Sequence, residues 1–95
     1  MPATRLSSTE TVQLLVLERR DAEQNMARFY VLSMQPTLFG DTALVREWGR
    51  IGTLGQRRIE LHAEPLAARM ALSAWLNRKR TRGYVLRNTT VGATA

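Results

Sequence analysis

The chain has 95 residues and a net charge of +6, so it has room for one domain whose electrostatic field attracts polyanions. It contains no cysteine and a single histidine, His62, which excludes disulfides and thiol nucleophiles and leaves too few ligands for a zinc site. No stretch resembles a signal peptide or a membrane span, so we expect a soluble, cytoplasmic protein that has no metal, cofactor or membrane partner.

Two strands are predicted in the first part of the chain. Residues 12–17 form an apolar run of strand length, and residues 28–34 begin with aromatic and β-branched side chains. The charged residues 18–25 between them predict an exposed connection. Residues 35–41 contain a proline and a glycine and predict a loop.

A hairpin is predicted next, with strands over residues 43–51 and 55–62 and a tight turn over 52–55. Counting outward from that turn in a simple hairpin register places Trp48 opposite Ile59, with Arg46 opposite Leu61. That register points the indole toward the core. A β-bulge in the strand would reverse its facing.

One helix is predicted over residues 65–82, because Pro65 suits its first turn, alanines fill its interior and Gly83 ends it. Its apolar stripe packs onto the sheet, and residues 84–86 form a short edge strand. The whole predicts an α+β domain over residues 12–86, with a curved antiparallel sheet of about four to five strands and one helix on one face. The polar ends, residues 1–11 and 88–95, are expected to be flexible.

The segment Trp48-Gly49-Arg50 is the strongest functional candidate. A planar ring beside a guanidinium suits an unstacked nucleotide, because the ring stacks on sugar or base while the arginine takes phosphate. Gly49 lacks a Cβ and would let a ligand approach the main chain. The structural alternative is that Trp48 is a core residue, which is the commoner role of a strand tryptophan.

Several sequence blocks together resemble the WGR domain, known from poly(ADP-ribose) polymerases and from many bacterial proteins. They come in the family's order: Asp21 with Asn25, Arg28-Phe29-Tyr30, the block Trp48-Gly49-Arg50-Ile51-Gly52-Thr53-Leu54-Gly55-Gln56, and an alanine-rich helix with Lys79 followed by Gly83-Tyr84. The resemblance implies a sheet with one helix and a role in contacting DNA.

Site roles also follow from the resemblance. It implies that Trp48 packs on the sugar at a DNA end, that Arg50 contacts phosphate or a neighbouring domain, and that Gly49 permits close approach. An asparagine of the family that also touches DNA has no clear counterpart, because Asn25 stands four residues before Phe29.

The other basic residues are candidate helpers. Thirteen of the fourteen basic residues are arginine, which favours bidentate phosphate contacts, although a G+C-rich genome would produce the same bias. The arginines of the hairpin near the motif are expected to contact phosphate or else to be solvated charges. The basic residues of the last helical turn are expected to contact phosphate or else to cap the helix. These candidates are Arg46, Arg57 and Arg58 in the hairpin, and Arg78, Lys79, Arg80 and Arg82 at the end of the helix.

These observations predict a non-enzymatic module that binds nucleic acid, DNA first and RNA also possible, at ends or breaks and with little sequence specificity. The scattered carboxylates and the single histidine offer no catalytic constellation. The alternative is an adaptor that uses the same Trp48 and Arg50 surface to bind a separate partner protein. A DNA-bound protein would be associated with the nucleoid.

Overall fold

A five-stranded antiparallel sheet with one helix packed on it forms the domain, which confirms the predicted α+β class. The computed structural model describes residues 12–92 of the chain. The strands lie side by side in the order β4-β3-β2-β1-β5. The elements are, in chain order, β1 (Val12–Asp21), β2 (Met26–Pro36), β3 (Thr42–Arg50), β4 (Gln56–His62), α1 (Pro65–Thr81) and β5 (Val85–Gly92).

The core lies between α1 and one face of the sheet. Side chains alternate between the two faces of a strand, so Leu17, Tyr30 and Trp48, which are neighbours across β1, β2 and β3, share the face that carries the helix. The helix adds Ala68 and Leu72, one turn apart. Burying each large aliphatic side chain contributes about 1.5 to 3 kcal/mol. The buried cluster consists of Leu15, Leu17, Tyr30, Leu32, Met34, Leu44, Ala68 and Leu72.

Strands β1 and β2 are longer than the sequence predicts. The charged residues expected to form a connection continue β1 as far as Asp21, and Arg19 pairs with Arg28 of β2. A short 3₁₀ turn, Ala22–Gln24, then reverses the chain, and Asn25 closes it with a φ of 51°. Asparagine tolerates this left-handed conformation better than most residues, so Asn25 has a local structural role. Charged side chains were compatible with the strand because they lie near its solvent-exposed end.

Strand β5 also extends beyond the prediction, which ended it at residue 86. Residues 88–92 pair with β1, so the expected flexible C-terminal segment is a paired strand up to Gly92. The polar side chains of this stretch suit an edge strand that faces solvent. The remaining parts of the two predicted flexible ends, 1–11 and 93–95, lie outside the described residues.

The β3–β4 turn is longer than predicted, and the predicted hairpin register is wrong. Trp48 pairs with Gln56, and Arg46 pairs with Arg58. Five residues, 51–55, join the strands instead of a tight four-residue turn, because the main chain needs positive φ at both Gly52 (97°) and Gly55 (71°). The shift puts Ile59 on the face away from the helix.

Two glycines of this turn give a matched prediction. A Cβ on Gly55 would lie 2.2 Å from the carbonyl oxygen of Trp48, whereas a Cβ on Gly52 would meet nothing within 4 Å. Both substitutions to alanine strain a positive φ, at a cost of about 1 to 2 kcal/mol, but only Gly55→Ala adds a backbone clash. In urea unfolding, the free energy of unfolding should therefore fall further for Gly55→Ala than for Gly52→Ala, by about 1 kcal/mol or more. Equal losses would contradict the clash.

Candidate nucleic-acid interface

The path of α1 brings positive charge to one end of the sheet. The helix leaves the β4 edge and crosses the sheet to β5, and its 17 residues are about 25 Å long. Its C-terminal turn therefore lies over the ends of β1 and β2, where Arg19 and Arg28 face it. Lys79 and the C-cap residue Arg82 approach from above.

These elements enclose a cleft of about 410 Å³. Four of its lining side chains are cations and two are aromatic, and no carboxylate is among them. A concave surface with this composition concentrates positive potential next to flat rings, which is the chemistry that a nucleotide requires. The basic cleft, as it is called below, is lined by Arg19, Met26, Arg28, Trp48, Lys79, Arg82 and Tyr84.

Trp48 packs against the core and also leaves part of its indole exposed at the basic cleft. It lies on the helix-bearing face and packs against Tyr30, with ring centroids 6.2 Å apart and planes inclined by 31°. It is only half-buried, and it also forms part of the wall of the basic cleft. The indole is thus anchored to the core on one side while it offers surface to a ligand.

Tyr30 is the centre of the aromatic cluster that supports this wall. It is 1% exposed and contacts Trp75 and Tyr84 as well as Trp48, with centroid distances of 6.1 to 6.4 Å. Burial raises the pKa of Tyr30, although its hydrogen bond from Arg46 acts in the opposite direction. The phenol therefore stays neutral and serves as a rigid base for Trp48.

Lys79 carries the most perturbed charge of the basic cleft. Its ammonium lies 4.5 Å from the ring centroid of Tyr30 and 5.7 Å from that of Tyr84. Burial lowers the pKa of Lys79, and the neighbouring guanidinium groups, Arg82 first among them, lower it further. A bound anion would relieve the repulsion among these cations.

Arg46 is directed inward rather than toward the cleft. It is 8% exposed, donates a hydrogen bond of 3.3 Å to the Tyr30 hydroxyl and lies 3.4 Å from a carboxylate oxygen of Glu60. Its guanidinium carbon is 3.9 Å from the ring centroid of Trp75 and 5.4 Å from that of Trp48. These contacts give Arg46 a structural role and leave it little access to a phosphate.

Arg50 does not line the basic cleft but is the cross-strand neighbour of Arg28, which does. It is exposed, pairs across the strands with Arg28 on the same face, and donates a hydrogen bond of 3.3 Å to the carbonyl oxygen of Asn25. A guanidinium held by one weak bond keeps most of its donors available. Arg50 is therefore the member of the tripeptide that is most open to a partner.

Gly49 has a packing role in place of the ligand approach that the sequence suggested. As the neighbour of Trp48 on an alternating strand, it faces away from the basic cleft. A Cβ there would lie 2.8 Å from the Cα of Gly55 and 3.5 Å from the ring of Phe29. The glycine is required so that the turn can fold back over Phe29.

Most of the other predicted helpers lie outside the basic cleft. Arg57 points to the opposite face and pairs with Glu47 at 3.7 Å. Arg58 is exposed and lies across from Arg46, on the helix-bearing face but outside the cleft. Arg80 is exposed on the helix and does not line the cleft.

Sequence reasoning did not single out four residues of the cleft as site residues: Arg19, Met26, Arg28 and Tyr84. Arg19 was assigned to an exposed connection, and Arg28 was treated only as part of a strand. A period-two count along β1 would have placed Arg19 on the same face as Leu15 and Leu17, but not in a cleft. No local signal shows that the end of the helix comes to lie over these strands.

The WGR domain family model matches residues 13–91, which is most of the chain. The chain belongs to the WGR domain family. The WGR match takes in every strand and the helix, and it begins and ends close to the limits of the sheet. The resemblance inferred from the ordered sequence blocks is thereby confirmed.

Two relatives extend the comparison. A protein of Sinorhizobium fredii, named "Uncharacterized protein y4dW", is 49% identical over 71 residues, which cover 74% of this chain and 34% of that protein. The crystal structure of a Bacteroides fragilis protein has a similar fold, with a TM-score of 0.64 at 21% identity over 79% of this chain and 19% of that one. The WGR chain thus spans about a third or less of the length of these relatives.

Other classes of site find no support in the part of the WGR chain that the structure describes. Within residues 12–92, no helix has the length and apolar character needed to cross a bilayer. Over the same range, no group of three or more histidine, cysteine or acidic side chains is placed to hold a metal ion.

Proposed function

We propose that this WGR domain is a non-catalytic DNA-binding module that holds the sugar and phosphate of a strand end in the basic cleft. Trp48 provides the platform on which the terminal sugar or base packs. Arg28, Lys79 and Arg82 contact phosphate, and Arg50, the exposed cross-strand neighbour of Arg28, extends the contact along the backbone. The observation that carries the proposal is the cleft itself, where four cations and two aromatic rings converge without a carboxylate.

The shape of the cleft favours an end over the interior of a duplex. In a continuous duplex the bases are stacked on both sides, so no sugar or base offers a free flat surface to an indole. At an end or a nick, a nucleotide has one unstacked side, and stacking on an aromatic ring contributes about 1 to 3 kcal/mol. A recessed Trp48 next to phosphate-binding groups therefore distinguishes the two kinds of DNA.

Little sequence specificity is expected. The lining of the cleft offers guanidinium and ammonium donors for phosphate and flat rings for stacking, and neither kind of contact distinguishes one base from another. Affinity should instead depend steeply on salt.

The DNA substrates themselves provide the first test. The protein is titrated against blunt linear, nicked and closed-circular DNA of equal length at low salt. Linear and nicked DNA should bind more tightly than the closed circle. Equal affinity for all three would contradict the preference for ends, and no binding to any would contradict the assignment to DNA.

Charge substitutions provide the second test and assign the contact to the cleft. Arg28→Gln and Arg82→Gln should each weaken binding and reduce the slope of log affinity against log salt by about 0.9 per lost phosphate contact. Arg20→Gln is the matched control, because Arg20 lies on the opposite face and pairs with Glu18 at 3.2 Å. An equal effect of Arg20→Gln would show that net charge, not the cleft, determines binding.

A further inference from the structure

Strand β4 is an edge of the sheet, and its outer side is unpaired within the described residues. Such an edge presents alternate N–H and C=O groups that can pair with another strand. The strand Gln56–His62 has seven residues, and Ile59 is the central one. A two-fold axis midway between Ile59 and the same residue of a second copy would therefore pair the two β4 strands along their full length.

In this arrangement, the charges of β4 in one copy are complementary to the charges of β4 in the other copy. With Ile59 opposite Ile59 of the second copy, Arg58 lies opposite Glu60 and Glu60 lies opposite Arg58. Two ion pairs thus form on the helix-bearing face, related by the axis. Opposite charges placed directly across an antiparallel pair are favourable, and like charges are unfavourable.

Neighbouring registers lack this complementarity. A two-fold axis perpendicular to the sheet must pass midway between a residue and the same residue of the second copy, because opposed side chains in an antiparallel pair share a face. Each register is named by that residue. A register centred on Arg58 would oppose two guanidinium groups, and one centred on Glu60 would oppose two carboxylates. The register centred on Ile59 is the one that avoids repulsion and also uses all seven residues.

The side chains of β4 are available for such a contact. Arg58 is exposed and takes part in none of the ion pairs found among residues 12–92. Glu60 lies 3.4 Å from Arg46 through one carboxylate oxygen and 3.6 Å from His62 through the other, yet its side chain remains 32% exposed. Ile59 and Leu61, on the other face, are 53% and 63% exposed, which is high for aliphatic side chains of a strand.

We infer that β4 is a self-association surface through which two copies of this chain join edge to edge into a ten-stranded antiparallel sheet. Both helices lie on the same face of that sheet, and so do both basic clefts. The interface is isologous, since each copy contributes the same residues. The interface uses none of the residues that line the cleft, so the proposed dimer does not depend on whether the cleft binds DNA.

Charge reversal tests the interface by sedimentation equilibrium over a range of protein concentrations. The unmodified protein should dimerise, and Arg58→Glu or Glu60→Arg alone should weaken the dimer by about tenfold or more, because each opposes like charges twice. An equimolar mixture of the two variants should form a heterodimer, because one copy then carries only acidic side chains at these two positions and the other copy only basic ones. Arg57→Glu, on the other face of the same strand, is the control and should retain a dimer.

Disulfide trapping gives an independent test that does not disturb Glu60, which also bonds Arg46. The chain has no cysteine, so Ile59→Cys introduces a single thiol. Directly opposed residues of an antiparallel pair are close enough for a disulfide, so mild oxidation should yield a covalent dimer at high efficiency. Leu54→Cys is the control: Leu54 is 98% exposed, but it lies in the turn, remote from its symmetry mate.

The outcomes separate cleanly. A dimer that is lost in each charge variant, restored in the mixture and trapped by the Ile59→Cys variant supports the proposal. A monomer up to several hundred micromolar overturns it. So does a dimer that survives both charge reversals, or one in which the cysteines at positions 54 and 59 form disulfides equally well. Circular dichroism of every variant confirms that it is folded before its association is measured.

Discussion

Replacing Trp48 with alanine is expected to weaken binding to DNA ends by about 1 to 3 kcal/mol, which is roughly 5- to 150-fold in affinity. The loss follows from the position of the indole in the wall of the basic cleft, where it offers a flat surface beside Lys79 and Arg28. The difference between linear and closed-circular DNA should shrink with it, because stacking at the terminus provides that difference. Fluorescence anisotropy with both kinds of DNA measures these effects.

The substitution also removes a core contact, so its effect on folding must be separated from its effect on binding. Trp48→Ala loses the packing against Tyr30 and should lower the free energy of unfolding by about 1 to 3 kcal/mol. Val45→Ala is the matched control, since Val45 is on the same strand, faces away from the cleft and is 5% exposed. It should lose comparable stability and keep normal DNA affinity. If Val45→Ala weakens binding as much, the platform role of Trp48 is contradicted.

Replacing Arg46 with alanine is expected to have the largest effect on stability, about 2 to 4 kcal/mol. The substitution leaves Glu60 without its ion-pair partner, removes the bond to the Tyr30 hydroxyl and takes a guanidinium from the face of Trp75. Urea unfolding followed by tryptophan fluorescence measures the loss. Arg46→Lys should recover little of it, because an ammonium lacks the planar stacking surface and the forked donors.

Two further variants show whether this loss comes from the network. Arg57→Ala removes an exposed arginine of the neighbouring strand and should change stability by less than about 0.5 kcal/mol. In a double-mutant cycle, Arg46→Ala and Glu60→Gln should cost less together than the sum of their separate effects, because they share one interaction. Additive effects would mean that burial of the arginine stem, and not the ion pair, stabilises the fold.

Local sequence patterns predicted the type and order of the elements, because each pattern reports the surroundings of its own segment. The proline and glycine at the ends of α1 place the helix correctly, whereas the ends of β1, β2 and β5 lie beyond the predicted limits. The β3–β4 register could not be predicted in the same way. It depends on a five-residue turn in which Gly55 packs against the backbone of Trp48, and that contact has no signature in residue type alone.

The chemical character of the candidate site was predictable from the sequence, but the full set of its residues was not. Trp48, Arg50 and Lys79 could be named from the tripeptide and the family blocks. Arg19 and Arg28 could not, because they become cleft residues only when the C-terminal turn of α1 lies over β1 and β2. Arg46 shows the opposite failure, because as a basic residue two positions from Trp48 it suggested a phosphate contact. Its burial is explained only by Glu60 on the neighbouring strand and Trp75 on the helix.

The strand order also determines when the domain can fold. Leu17 of the first strand pairs with Leu86 of the last, so one long ladder of the sheet joins the two ends of the described chain. Contacts between residues so far apart in sequence carry a high loop-closure cost and slow the search for the native state. During synthesis, one side of β1 therefore remains unpaired until β5 has emerged from the ribosome. Refolding should be slower than for a helical domain of the same length.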